Sequence, residues 1–162
     1  MSALTALFLT FLILQRLAEL VIAKRNTTAL LAKGAREVGA GHYPAMVAMH
    51  SAWIAALVFF GWDQPGSLPW LAVYAVLQVF RVWILGTLGR RWTTRVIVLD
   101  GEDLVARGPF RYVRHPNYLL VVAEIIVAPM VLGLWWVAVI WTVLNALMLR
   151  HRIAVEDAAL RR

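Results

Sequence analysis

The sequence predicts an all-α fold, a polytopic membrane bundle of five transmembrane helices. It ends in a C-terminal helical hairpin, with the N-terminus outside and the C-terminus cytoplasmic. Three observations predict it. Sixty-two per cent of the 162 residues are apolar and mean hydropathy is +0.72, whereas a soluble domain is near half apolar. The apolar residues gather into five runs, at about 3–23, 44–61, 69–88, 117–132 and 134–151. Fourteen of the 16 lysines and arginines fall in segments 24–43, 89–116 and 150–162, while the loops at 62–68 and 129–133 hold none. A bundle of this size leaves no room for a second core, so residues 1–162 read as one domain.

The first run has no basic segment before it and no small-residue cleavage site, so it reads as a retained span. It is long enough to cross a hydrocarbon core, which needs roughly 20 residues. Segment 26–41 is too polar to cross and is expected along the cytoplasmic face. The second run is slightly short and the third is of full length. Segment 92–107 mixes the β-branched Thr93, Thr94, Val96, Ile97 and Val98 with Asp100-Gly101, a turn signal, which suggests a short hairpin or an extended loop. The last two runs are parted only by Pro129 to Gly133. Proline lacks an amide hydrogen and glycine tolerates unusual dihedrals, so the helix breaks there and turns back.

Cytoplasmic loops of membrane proteins are rich in lysine and arginine, which assigns the sidedness. Trp62, Trp70, Trp135 and Trp136 then fall near the outer boundary, as an aromatic belt would. The +7 net charge is therefore a topology signal and a contact for anionic lipid rather than for nucleic acid. Without cysteine there is no disulfide, thiolate metal site or thiol nucleophile. His42, His50, His115 and His151 lack the spacing of a metal-binding helix, so no metal is expected. Neither a Gly-x-Ser-x-Gly elbow nor a glycine-rich phosphate loop occurs.

Ionisable side chains inside a span are costly and suggest function. Here they are Arg16 and Glu19 in the first span, His50 in the second, Arg81 in the third and Glu124 in the fourth, with Gln15, Gln78 and Asn145 beside them. Arg16, Arg81 and Glu124 each stand seven residues from a cytoplasmic span end, or roughly 10 Å deep at 1.5 Å per residue. Two readings stay open. Arg16 with Glu19, and Arg81 with Glu124, simply neutralise one another; or these groups line a polar cavity open to the cytoplasm. His50 fits a hydrogen-bonded helix residue as well as a ligand.

Two polar knots flank the last hairpin: Gly108-Pro109-Phe110-Arg111-Tyr112-Val113-Arg114-His115-Pro116-Asn117-Tyr118, and Arg152-Ile153-Ala154-Val155-Glu156-Asp157. Pro116 suits the first turn of a helix. Arg152 and Glu156 are one helical turn apart and share a face; such a pair is ordinarily a surface ion pair worth a few tenths of a kcal/mol, about 0.2–0.5. The hairpin brings both knots to one side of the bilayer.

Together the knots resemble the isoprenylcysteine carboxyl methyltransferase family of membrane enzymes. Upstream, Gln15-Arg16-Leu17-Ala18-Glu19, Ala23-Lys24-Arg25-Asn26, Gly41-His42-Tyr43, Met46-Val47-x-Met49-His50 and Trp92-x-Thr94 look like its short bacterial branch. Some members of that branch methylate alkylpyrone or alkylresorcinol lipids. The resemblance implies a bacterial inner-membrane enzyme that moves a methyl group from S-adenosyl-L-methionine to an oxygen of a lipophilic substrate, a carboxylate, enol or phenol. It implies cofactor binding by Glu102, Asp103, Leu104 and Val105, by Phe110, by His115, Pro116, Asn117 and Tyr118, by Glu156, and by Arg95. Arg152 would act at the substrate, and Glu19, His50, Arg81 and Glu124 are the further catalytic candidates. Two positions depart from the family pattern: Phe110 where it usually has tyrosine, and Asp157 where the second acid is usually glutamate. The longer eukaryotic tail is missing, which argues against prenylated proteins as substrates. The competing reading is a small transporter, lipid-binding subunit or scaffold using the intramembrane charges without chemistry. Transporters of this size usually dimerise or show internal repeats, and no repeat is visible.

Overall fold

The computed structural model describes residues 2–101 and 103–160, so the expected contact at Glu102 lies outside the described residues. Five helices carry the fold: α1 (Ala3–Leu31), α2 (Tyr43–Gly61), α3 (Leu68–Leu88), α4 (Pro116–Val131) and α5 (Trp135–Leu160). Ser2 caps α1 by accepting the Thr5 amide hydrogen, and α2, α3 and α4 each begin with a proline in the first turn. Proline there gives up an amide that had no partner anyway.

Hydrogen bonds sort the loops to two ends. At one end Ser2 Oγ donates to the Pro65 carbonyl at 2.8 Å, Thr5 Oγ1 to Gln64 at 2.5 Å, and the Ser67 amide to Val131 at 2.7 Å. At the other, Asn26 Nδ2 donates to the Trp92 carbonyl at 2.8 Å, and Tyr118 donates to Glu156. Successive helices therefore run in alternating directions. The apolar core lies toward the first end, built from Phe8, Leu12, Trp53, Leu57, Tyr74, Ile125, Ala128 and Val137. Outward, Leu7, Phe59, Val79 and Val82 are exposed, a surface suited to lipid tails rather than water.

Among the described residues, four helices are long and apolar enough to cross a membrane: α1, α2, α3 and α5. The fourth predicted span is α4, with 16 residues, about 24 Å long at 1.5 Å per residue against a core of ~30 Å. Gly133, at φ +68, turns the chain back immediately after it. Packed between α3 and α5, α4 buries Leu120, Glu124, Ile125, Val127 and Ala128.

One expectation changes. The bundle is not purely helical: Arg36–Val38 (β1) pairs antiparallel with Val96–Val98 (β2), Arg36 opposite Val98 and Val38 opposite Val96. The β-branched run at 96–98 thus finds its partner in the α1–α2 connection rather than in a local hairpin. Segment 26–41 divides between a helix end and a strand. Its first residues extend α1 to Leu31, Gly34 turns the chain at φ +90, and β1 follows.

The intramembrane charges form one cluster. Arg81 donates to both oxygens of Glu124, from Nε at 2.8 Å and from Nη2; Arg16 Nη2 donates to Glu124 at 2.6 Å and Gln78 Nε2 at 3.0 Å. Glu19 accepts from Arg16 at 2.9 Å and faces Arg81 at 3.3 Å. Gln15 donates to Glu19 and Gln78 and accepts from Tyr74. Both expected pairs are present, merged into one network that ties α1, α3 and α4. Two arginines and two glutamates cancel, and a buried charge is tolerable when so paired and bonded.

Candidate active site

The site begins where α4 starts and α5 leaves the bundle. Pro116 sets the first turn of α4 and thereby places Asn117 and Tyr118 opposite Arg152 and Glu156 on the last turns of α5. Tyr118 holds the centre: its hydroxyl accepts from Arg152 Nε at 2.8 Å and donates to Glu156. The His115 ring stacks on Tyr118, with centroids 5.2 Å apart and planes 18° from parallel. Its Nδ1 lies 3.9 Å from Glu156 and its Nε2 3.6 Å from Asp157, which also meets Arg114 at 3.6 Å. The two knots are thus one unit.

Arg152 reaches across the bundle. Nη2 donates to the Thr94 carbonyl at 2.8 Å and Nη1 to the Met46 sulfur at 2.6 Å. It is 8% exposed, and among the described residues no carboxylate lies within ion-pair distance of it. A buried guanidinium bonded only to neutral groups keeps its charge available to an anionic oxygen.

Two cavities meet at this arginine. The larger, about 440 Å³, lies between the small sheet, the segment 103–106 and the knots. Asp103, Leu104, Val105, Phe110, His115, Asn117, Tyr118, Glu156 and Arg95 all line it. The structure therefore gathers the described cofactor candidates into one space, except Pro116, which is buried and sets the turn. Acidic Glu156 and Asp157 face basic Arg91, Arg95 and Arg114 within it, and the Arg91 guanidinium fixes the Asp103 carbonyl at 2.6 Å. Arg95 also anchors the sheet, through Glu37 at 2.6 Å and over the Tyr43 ring at 3.9 Å.

The smaller cavity, about 170 Å³, runs into the bundle between α1, α2, α4 and α5. Its apolar wall includes Leu20, Val47, Ile54, Val121, Met148 and Leu149; its polar wall is Arg16, Glu19, His50, Arg81, Asn145 and Arg152. Leu20 on α1 and Val47 on α2 are partly exposed, 46% and 38%. Of the expected catalytic residues, Glu19, His50, Arg81 and Arg152 reach this wall and Glu124 does not. Glu124 is 0% exposed, with its oxygens taken up by Arg16, Gln78 and Arg81. That placement makes it part of the scaffold and removes it from the catalytic candidates.

Both cavities share the wall of Trp92, Thr93, Asn117, Tyr118 and Arg152. Trp92 and Thr93 belong to segments already singled out in the sequence, but nothing in their spacing assigned them to this wall. Trp92 Nε1 and Asn117 Oδ1 are buried without a hydrogen-bond partner. Buried polar atoms nearly always have one, so an orphan donor and an orphan acceptor on one wall mark a place for a ligand.

The sequence profile described as "Isoprenylcysteine carboxyl methyltransferase (ICMT) family" matches residues 70–162. The chain belongs to this family. Its members are S-adenosylmethionine-dependent methyltransferases, and with the four apolar helices membership indicates a multi-pass membrane methyltransferase. The chain is similar to an uncharacterised Bacillus subtilis protein, YpbQ, with 36% identity over 161 residues, covering 96% of this chain and 95% of that one. It is also similar to an uncharacterised Haemophilus influenzae protein, 27% identical over 155 residues, 90% and 88% of the two chains. No solved structure matches it. The family match spans α4, α5 and the lining of the larger cavity apart from Leu30, whereas α1 and α2, which wall much of the smaller one, lie outside it.

Proposed function

We propose that this protein transfers a methyl group from S-adenosyl-L-methionine to a carboxylate, enol or phenol oxygen of a lipophilic acceptor that enters from the membrane. One observation carries this: a mixed-charge cavity at one end of the bundle and a mostly apolar cavity within it share a single wall, with Arg152 in it. The larger volume falls in the ~300–1,000 Å³ range of small-molecule sites. Its residues fit the donor. Glu156 and Asp157 suit an ammonium, Arg114 and the unpaired Trp92 indole N–H suit a carboxylate, the unpaired Asn117 oxygen suits a hydroxyl or amine, and the stacked His115–Tyr118 rings offer a flat face to a nucleoside.

When bound, S-adenosylmethionine supplies a methyl group activated by its sulfonium charge. The protein then has to hold the acceptor oxygen in line, about 3–3.5 Å from that carbon, and keep water out. Arg152 orients a carboxylate or enolate oxygen at the shared wall, and the apolar lining excludes water. A neutral hydroxyl acceptor must lose a proton. His50 Nδ1 lies 2.9 Å from the Met46 carbonyl; a carbonyl only accepts, so Nδ1 carries the hydrogen and Nε2 is left as the atom that takes the proton. Alkylpyrone and alkylresorcinol lipids fall within this acceptor class. In this reading α4 completes a fifth crossing, the knots face the cytoplasm of a bacterial inner membrane, and the N-terminus is outside. The transporter alternative drew on the intramembrane charges, and these are spent on one another in a neutral cluster.

Mass spectrometry of lipid extracts tests the proposal. Cells expressing the protein and fed methyl-labelled methionine are expected to accumulate a lipid one methylene heavier that carries the label. Identical lipid profiles with and without the protein, at high expression, would contradict it.

A further inference from the structure

We propose that Asn145 is a specificity-determining residue whose amide binds a second oxygen of the acceptor, a hydroxyl or carbonyl within its lipid part. This rests on the methyl-transfer reading for the first oxygen, at Arg152. Asn145 is 2% exposed, lines the smaller cavity and, among the described residues, makes no side-chain hydrogen bond. The other amides at this depth are fully engaged: Gln15 bonds Glu19, Gln78 and Tyr74, and Gln78 bonds Gln15 and Glu124. An isolated amide against hydrocarbon is unfavourable unless something in the cavity answers it. Arg16 Nε, on a residue of the same wall, is also buried without a partner. Beyond the Trp92 and Asn117 atoms of the shared wall, this cavity thus holds two further unanswered polar groups, deeper in the bundle.

Position gives the second oxygen its place. Asn145 and Arg152 are seven residues apart on α5, two turns along one face and roughly 10 Å apart. Met148 and Leu149 line the cavity between them. The contact is therefore polar, then apolar, then polar along the acceptor. Chemistry gives the oxygen its class. An amide donates and accepts but carries no charge, and the adjoining Arg16–Glu19–Arg81–Glu124 cluster is neutral, so nothing there favours a second anion. A hydroxyl or carbonyl satisfies Asn145; a plain hydrocarbon chain leaves it dry.

The test uses the full chain in lipid nanodiscs. Its probes are a saturated long-chain fatty acid and its hydroxylated analogues, the hydroxyl moved stepwise along the chain, each competing with a fluorescent fatty acid. Wild type is expected to bind one positional analogue about tenfold or more tighter than the unsubstituted acid. Asn145→Leu is expected to lose that preference and favour the unsubstituted acid, while Asn145→Ser, which keeps a polar group, retains part of it. Calorimetric binding of S-adenosylhomocysteine, unchanged in both variants, shows that each is folded. An identical ranking of the series in wild type and Asn145→Leu overturns the proposal, and so does a wild type that binds no analogue better than the plain acid. The methyl-transfer reading fails separately, if wild type binds no S-adenosylhomocysteine while the Asn145-dependent preference is intact.

Discussion

Glu124→Ala is expected to destabilise the folded chain by about 3–5 kcal/mol, because removing one partner of a buried ion pair strands the other. Glu124 accepts from Arg81, Arg16 and Gln78 on two other helices. Without it two guanidinium groups share the single charge of Glu19, far from water. Denaturant unfolding in detergent measures the loss. The exposed Arg36–Asp100 pair, 4.0 Å apart with both side chains more than half exposed, is the control, and Asp100→Ala should change stability by no more than ~1 kcal/mol. A double variant that also replaces Arg81 with methionine should recover part of the loss, since the stranded charge is then gone. A Glu124→Ala protein as stable as Asp100→Ala would mean that the cluster does not hold α1, α3 and α4 together.

Arg152→Ala is expected to lower kcat/KM by about 10²–10³-fold, the range found when a preorganised donor to a reacting oxygen is removed. The loss should fall mainly in kcat, because the contact strengthens as charge shifts at that oxygen. Arg152→Lys should recover little. A lysine keeps the charge but cannot bond the Tyr118 hydroxyl, the Thr94 carbonyl and the Met46 sulfur at once. Steady-state kinetics on a methylated lipid product decides it, and wild-type turnover in Arg152→Ala would remove the arginine from the reaction.

Hydropathy located the helices well where chain chemistry marks their ends. Pro44, Pro69 and Pro116 stand within one residue of the starts of α2, α3 and α4. It failed at the ends of α1 and α5, which run on to Leu31 and Leu160, because an apolar run marks the membrane and not the helix. The β1–β2 pair was invisible as a pair. Each strand has three residues, and their partnership depends on how α1 and α3 end side by side, a long-range fact that no local pattern records. The spacing of Arg152 and Glu156 and the proline at 116 were enough to foresee that the knots meet. Depth alone could not separate Glu124, saturated by three donors from other helices, from Asn145, which has none among the described residues. That difference lies in partners, and partners come from packing.

The most direct measurement of the central claim is calorimetric titration of S-adenosylhomocysteine into purified protein in detergent, wild type against Glu156→Ala. Glu156 joins the start of α4 to the end of α5 through Tyr118 and His115. The account predicts saturable binding to wild type and affinity weaker by about tenfold or more in Glu156→Ala, the loss expected for a charge-assisted hydrogen bond. Absence of binding to wild type, or equal affinity in the two proteins, would contradict it.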